Sequence, residues 1–317
     1  MPLAESWTQW EQMAGGRATL GGSVEEIRAQ YDGLVQALIP MMPPLPEGSD
    51  VVEGAVDGVK YRTYTPKEGD GPFPVIIWTH GGGYMLGNLD SDEFLCRVIA
   101  ENTKTAVVNV DYRLSPEAKW PAQLDDSVKV YKWAVENAAK FKGDPKKVFT
   151  GGGSAGGGLA LQVANQVLRD SSLKPTLKGI IALVPVTTHY DNVPAKYAGD
   201  YKSYEENGNG APVIDKTSME IFFRETGTDP KDASAFTILA TDKHADFPPV
   251  YFASCEFDPL RDDSKVMEKA LQEAGVKTKH DYWPGFPHYF WIFPPIPEGQ
   301  QFVGKMLAGI EWLKSQA

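Results

Sequence analysis

Ser154 stands in the run GGGSAGGG, residues 151–158, and that run fits two different chemistries. Read as G-x-S-x-G, it is a turn that aims a nucleophilic hydroxyl. Small flanking residues, here Gly152 and Gly156, relieve the crowding of so sharp a strand-to-helix turn. Read as G-x-G-x-x-G, it is a turn that holds a dinucleotide pyrophosphate at a helix N-terminus. That second reading needs an acid near the end of the next strand, for the ribose hydroxyls. The run 182–184 continues into Pro185 without one, and Asp170 sits at the end of a helix. A Walker phosphate loop is excluded, because no G-K-[ST] follows a glycine run.

A serine nucleophile needs a base, an acid and an oxyanion site elsewhere in the chain. His80, Gly81, Gly82, Gly83 and Tyr84 directly follow the apolar run 75–79. Three glycines there let backbone N–H groups approach a substrate oxygen, and losing one such donor typically lowers turnover ~10²–10³-fold. Glu256, Asp258, Asp262 and Asp263 all follow the apolar run 250–254. Asp262 and Asp263 fall where a helix begins, so capping accounts for them. Asp258 lies in the turn before Pro259, which disfavours helix there, and is the best candidate acid. His288, in a loop before the last helix, comes in the right chain order for the base. His189, His244 and His280 have no such setting. No His/Cys/Asp/Glu cluster shows metal-ligand spacing, so no metal is expected.

The elements that would position these groups are readable from periodicity. Runs 60–65, 75–79, 105–110, 147–150, 177–184, 250–254 and 278–283 read as strands. Leu124, Val128, Tyr131 and Val135 recur at helical spacing, as do Phe302, Met306, Ile310 and Leu313. Further helices are expected after the glycine loop and over 262–274, and Ser91 is placed to cap one through Phe94, Val98 and Ile99. Strands alternating with helices predict an α/β fold with a mostly parallel sheet. Two segments break the rhythm. Residues 1–45 look helical and end in MMPPLP; residues 187–240 are long, polar and aromatic. An insertion that long reads as a functional cap, so a single domain over 1–317 with a cap from about 1–45 and 187–240 is expected.

With 317 residues, 42% hydrophobic and a formal net charge of -11, the chain is suited to small molecules rather than to nucleic acid or an anionic membrane. Two distant cysteines are no disulfide framework, which fits a reducing, cytoplasmic setting. The first residues show no basic start followed by an apolar run, so no leader is expected. No stretch approaches the ~20 apolar residues of a membrane span.

Several motifs together resemble the hormone-sensitive-lipase-like branch of the α/β-hydrolases: HGGGY at 80–84, DYRLSPE at 111–117, WPA at 120–122, GGSAGG at 152–157, DPL at 258–260, and His288. The resemblance implies an eight-stranded sheet with helices on both faces, and a cap built from the N-terminal segment and an insertion after the sixth strand. It makes Ser154 the nucleophile, Asp258 its orienting acid and His288 the general base. The N–H groups of Gly82, Gly83 and Ala155 become the oxyanion donors. His80 and residues 111–113 become supports of the loops. The insertion is similar to fungal members through YEEN at 204–207, GAP at 210–212 and residues 219–223.

The resemblance further implies a serine carboxylic-ester hydrolase without cofactor, acting on short to medium acyl esters or deacetylating a natural product. It also allows a homodimer. Tyr84, Met219, Phe222, Phe223 and Tyr289 are the pocket candidates, although Trp7, Trp10, Phe222 and Phe223 fit a packed core equally well. Two positions depart from the pattern. Gly152 is read as standing where that family often has aspartate before the serine; Tyr289 stands where glycine often follows the histidine and is expected to narrow the pocket or shift the loop. The same scaffold also serves lyases, cyclases and small-molecule receptors. Those receptors lack the histidine that this chain has.

Overall fold

The computed structural model describes residues 2–317. Among these residues, β1 (Ser49–Val56), β2 (Val59–Pro66), β3 (Phe73–Thr79), β4 (Ala106–Asp111), β5 (Gly143–Gly153), β6 (Leu177–Leu183), β7 (Val250–Phe257) and β8 (Thr278–Pro287) form one sheet in the order β1-β2-β4-β3-β5-β6-β7-β8. The pairs β1–β2 and β2–β4 are antiparallel and the remaining pairs parallel. The α/β expectation holds. Strand β1 went unread because its outer face is exposed, with Val52 at 62%, and a half-wet edge strand carries no continuous apolar run.

The central strands are covered on both faces, as parallel strands must be. Along β3, Val75 and Ile77 enter one core cluster, and Ile76 and Trp78 the other. Helices α1 (Glu5–Met13), α2 (Val24–Leu38), α3 (Glu93–Thr103), α4 (Ala122–Glu136), α5 (Ala155–Val167), α6 (Ser203–Glu206), α7 (Lys216–Thr226), α8 (Arg261–Glu273) and α9 (Glu298–Gln316) complete the regular elements. Helices α4, α5 and α8 pack against one face of the sheet, and α3 and α9 against the other. No helix among the described residues is long and apolar enough to cross a membrane.

The two segments that broke the alternation are joined to one another. Leu20 N–H donates to the Val213 carbonyl at 3.0 Å, and Val213 N–H donates to Ala18 at 2.9 Å. Thr19 Oγ1 adds a bond to the Ala211 carbonyl at 2.9 Å. Three expectations about helix ends are corrected. Ser91 does not cap α3, whose N-cap is Asp92; its Oγ instead accepts from Asn88 N–H at 2.9 Å. Asp262 and Asp263 do not cap α8, which has Leu260 at that position. Asp262 accepts from Lys202 N–H at 2.7 Å and Ser203 N–H at 2.8 Å. Asp263 accepts from Thr187 N–H at 2.8 Å, Thr188 N–H at 2.9 Å and Tyr201 Oη at 2.7 Å. These carboxylates tie residues 187–203 to α8, using partners 59 to 76 residues away that local capping rules do not see.

This tie has a pH signature. Burial raises the Asp262 carboxyl, but Arg261, the Lys202 N–H and Lys265 outweigh it and hold it at about 2. A folded value below the unfolded ~3.8 means the contribution is complete above about pH 4 and lost as pH falls towards 2. Asp262→Asn should therefore lower unfolding free energy by roughly 1–3 kcal/mol at neutral pH, with the deficit shrinking at about pH 2.5. Urea titrations at the two pH values check this; an unchanged deficit would show that charge is not involved.

Candidate active site

Four loops at the carboxyl ends of neighbouring parallel strands bring the chemistry together: His80 follows β3, Ser154 follows β5, Asp258 follows β7 and His288 follows β8. That edge is where α/β sheets place their ligands. Ser154 has φ 58 and ψ -124, a strained conformation for a residue with a Cβ, of order 1–3 kcal/mol. Both flanking glycines are sterically required. A Cβ on Gly152 would lie 2.3 Å from the Thr79 carbonyl oxygen, and one on Gly156 would lie 2.0 Å from that same atom. The turn is thus wedged against the end of β3, and Thr79 Oγ1 donates to the Gly156 carbonyl at 2.8 Å.

His288 bridges the other two groups. Its Nδ1 lies 2.7 Å from Asp258 Oδ2 and its Nε2 lies 2.9 Å from Ser154 Oγ. A carboxylate can only accept, so Nδ1 carries the proton and Nε2 is left to accept from the serine hydroxyl. Asp258 is fully buried, and His288 and Ser154 are 3% and 7% exposed, so the chain of bonds lies out of bulk water. Leu260 N–H donates to Asp258 Oδ1 at 2.8 Å. Asn207 Nδ2 donates to the carbonyls of Glu256 at 3.0 Å and Asp258 at 3.2 Å, which anchors the acid-bearing loop from the insertion.

Gly82 and Gly83 adopt φ 117 and φ 60, which L side chains rarely take. A Cβ on Gly82 would meet the Leu86 carbonyl oxygen at 2.4 Å, and one on Gly83 the Phe222 ring at 2.5 Å. Ala155 opens α5, so its N–H belongs to the first turn, where helix donors lack intrahelical acceptors. His80 stacks on Tyr112 at 4.2 Å, and Tyr112 Oη donates to its carbonyl at 2.7 Å. Burial pushes the His80 imidazole down to about 4, so it stays neutral. Arg113 pairs with Asp126 through Nε at 2.8 Å and Nη2 at 2.9 Å, fixing the loop after β4 to α4.

A cavity of about 90 Å³ opens over Ser154 and His288. Leu20, Tyr31 and Leu34 line it from the N-terminal segment, Val213, Ile214 and Phe222 from the insertion, and Tyr289 from the histidine loop. Tyr84, Met219 and Phe223 lie elsewhere in the apolar core, and Trp7 and Trp10 pack on Phe293 at 5.0 and 5.5 Å.

The two departures from the family pattern prove to be one. The assignment to Gly152 is corrected: the position directly before Ser154, where such members often carry aspartate, is Gly153, and Gly152 is the first glycine of the motif. A Cβ on Gly153 would lie 2.1 Å from Tyr289 Oη. The phenol therefore fills the space that a side chain at 153 would need, and Tyr289 reaches it from a left-handed backbone, φ 58.

A second serine–histidine–acid chain lies outside this site. Ser254 Oγ is 2.7 Å from His280 Nε2, and His280 Nδ1 is 2.6 Å from Glu268 Oε2. Ser254 is fully buried, so no substrate reaches it, and the chain serves to pin α8 to β7 and β8. His280 offered no sequence signal for this, since its partners come from a helix and a neighbouring strand.

Residues 76–292 match the alpha/beta hydrolase fold family. The chain belongs to the hormone-sensitive-lipase-like α/β-hydrolases. A versiconal hemiacetal acetate esterase of Dothistroma septosporum is 58% identical over 313 residues, covering 99% of this chain and 95% of that one. A carboxylesterase of Mycobacterium tuberculosis is 32% identical over 82% of this chain and 79% of its own. Among solved structures, vibralactone cyclase is similar with a TM-score of 0.88 and 31% identity, covering 99% of this chain and 95% of that one.

Proposed function

We propose that Ser154, His288 and Asp258 are the triad with which this chain, a serine ester hydrolase, cleaves small-molecule carboxylic esters through an acyl-enzyme. The continuous hydrogen-bond path from Asp258 through His288 to Ser154, opening on a cavity, carries this reading. His288 Nε2 takes the Ser154 proton as Oγ attacks the ester carbonyl. The N–H groups of Gly82, Gly83 and Ala155 receive the oxyanion. Protonated His288 passes its proton to the departing alcohol, then activates water to release the acid. Asp258 holds the imidazole tautomer and stabilises its cationic form.

The identity to an acetate esterase supports an acetate ester of a larger natural product as the substrate class. The small cavity, narrowed by Phe222 and Tyr289, also favours short acyl groups. We take segments 1–45 and 187–240 as the cap of a single domain. Cys96 and Cys255 are free and buried, which fits a cytoplasmic setting; fractionation tests that. The homodimer allowed by the family likeness would appear as a doubled mass in light scattering. A second reading, a cyclase that hands the acyl group to an internal hydroxyl instead of water, draws on the likeness to vibralactone cyclase. Product analysis in ¹⁸O-water separates the two, because only hydrolysis labels the released acid.

The pH profile tests the base. p-Nitrophenyl acetate turnover should fall on the acid side of the profile, because a protonated base cannot accept. Burial pushes His80 down to about 4 and raises Asp92 to about 6 against bonds from Trp78 and Gly81 N–H, so Asp92 is the rival source of an acid limb. The limb should persist in Asp92→Asn; its disappearance would assign it to Asp92 and not to His288.

A further inference from the structure

The cavity is apolar over most of its wall, yet one arm is polar. Tyr31, Ser91, Asp92 and Tyr289 line it beside Ser154 and His288. Tyr289 is 8% exposed, and its hydroxyl has no hydrogen-bond partner in the protein. Burial pushes that phenol well above its ordinary value, so it stays protonated and can donate. Asp92 is 4% exposed; its Oδ2 accepts from Trp78 Nε1 at 2.9 Å, and a carboxylate has further lone pairs to offer. Packing alone does not explain the tyrosine. A phenylalanine would keep the ring's contacts beside Gly153 and give up only those of the hydroxyl, whose burial without a partner costs about 1–3 kcal/mol. A ligand that arrives with the matching group removes that penalty only when bound.

We propose that Tyr289 and Asp92 form a polar subsite for a free hydroxyl on the alcohol part of the ester, so that the preferred substrates are hydroxylated esters rather than simple alkyl or aryl ones. The substrate hydroxyl accepts from Tyr289 Oη and donates to the Asp92 carboxylate. The alcohol part is the one concerned, because its leaving oxygen must meet His288 Nε2, and Tyr289 is the next residue along that loop. The inference rests on the ester-hydrolase reading and adds a substrate class to it. Neither Gly153, which makes room for the phenol, nor Tyr289 belongs to the acyl-transfer chemistry itself.

The experiment uses the monoacetates of catechol, resorcinol and hydroquinone. Each is compared with its methoxyphenyl acetate and with phenyl acetate, so that lost size and lost hydrogen bonding separate. Every kcat/KM is divided by the spontaneous hydrolysis rate of the same ester. The full-length wild type should favour the free hydroxyl by about 10-fold or more at one ring position. In Tyr289→Phe, which keeps the ring, that ratio should fall to within about twofold of unity; Asp92→Asn should lower it independently. Ratios near unity at all three positions in the wild type, or a preference that survives Tyr289→Phe, overturn the subsite. If the wild type hydrolyses none of these esters, the ester-hydrolase reading fails and the subsite with it. Equal hydrolysis within each set leaves that reading standing and removes only the subsite.

Discussion

Replacing Ser154 with alanine should lower kcat/KM for p-nitrophenyl acetate by about 10⁴-fold or more. The reason is geometric. His288 Nε2 has one hydroxyl within reach, Ser154 Oγ at 2.9 Å, and without it the imidazole has no nucleophile to activate. The oxyanion donors and the cavity remain, so a residual rate above that of water is expected. The fold should not suffer. The lost hydroxyl is at the surface of a cavity, and alanine keeps the strained turn, whose room comes from Gly152 and Gly156. The melting temperature should thus move by no more than about 2 °C. Turnover equal to wild type in a pure preparation would remove the serine mechanism altogether.

The second large effect concerns Gly153 and Tyr289. Gly153→Asp puts a Cβ where Tyr289 Oη now sits, 2.1 Å away. The phenol must shift, and because it is buried on the loop that also carries His288, the expected result is that the shift reaches the base. A displacement of about 1 Å at the base is enough for a loss near 10²-fold in kcat, with overpacking of roughly 1–3 kcal/mol. Tyr289→Gly should also destabilise, by about 3 kcal/mol or more, since it empties a buried ring's volume. Glycine nevertheless suits the left-handed backbone at 289. In the double variant the aspartate occupies the space the ring vacated, so part of both losses should return. Stability and kcat/KM of the four proteins form a cycle in which a coupling of at least about 1 kcal/mol is expected. Strictly additive losses would mean the two positions do not share one space.

Much of the site could be read from the chain because its parts are chemically scarce and ordered. His80 with three glycines, Ser154 with flanking glycines, Asp258 and His288 each end a strand, and that order leaves few alternatives. The glycines also had one cause each, a backbone oxygen at Thr79, Leu86 or a ring at Phe222 that forbids a Cβ. What stayed hidden was set by distant partners. Asp262 and Asp263 look like helix caps, yet their bonds go to the insertion. The Tyr289–Gly153 exchange spans two loops, so each half reads as an isolated oddity. Pocket membership was equally illegible: Phe222 and Phe223 are neighbours, but helix α7 turns the first towards Gly83 and the second into the core against His189 at 4.6 Å.

The most direct test is to trap the intermediate. Protein mixed with p-nitrophenyl acetate and quenched in acid within the first turnovers should carry one acetyl group per chain, located on Ser154 by peptide mass spectrometry, with none on the Ser154→Ala protein. Acetylation confined to another residue, or product formation with Ser154 never acylated, would contradict the account.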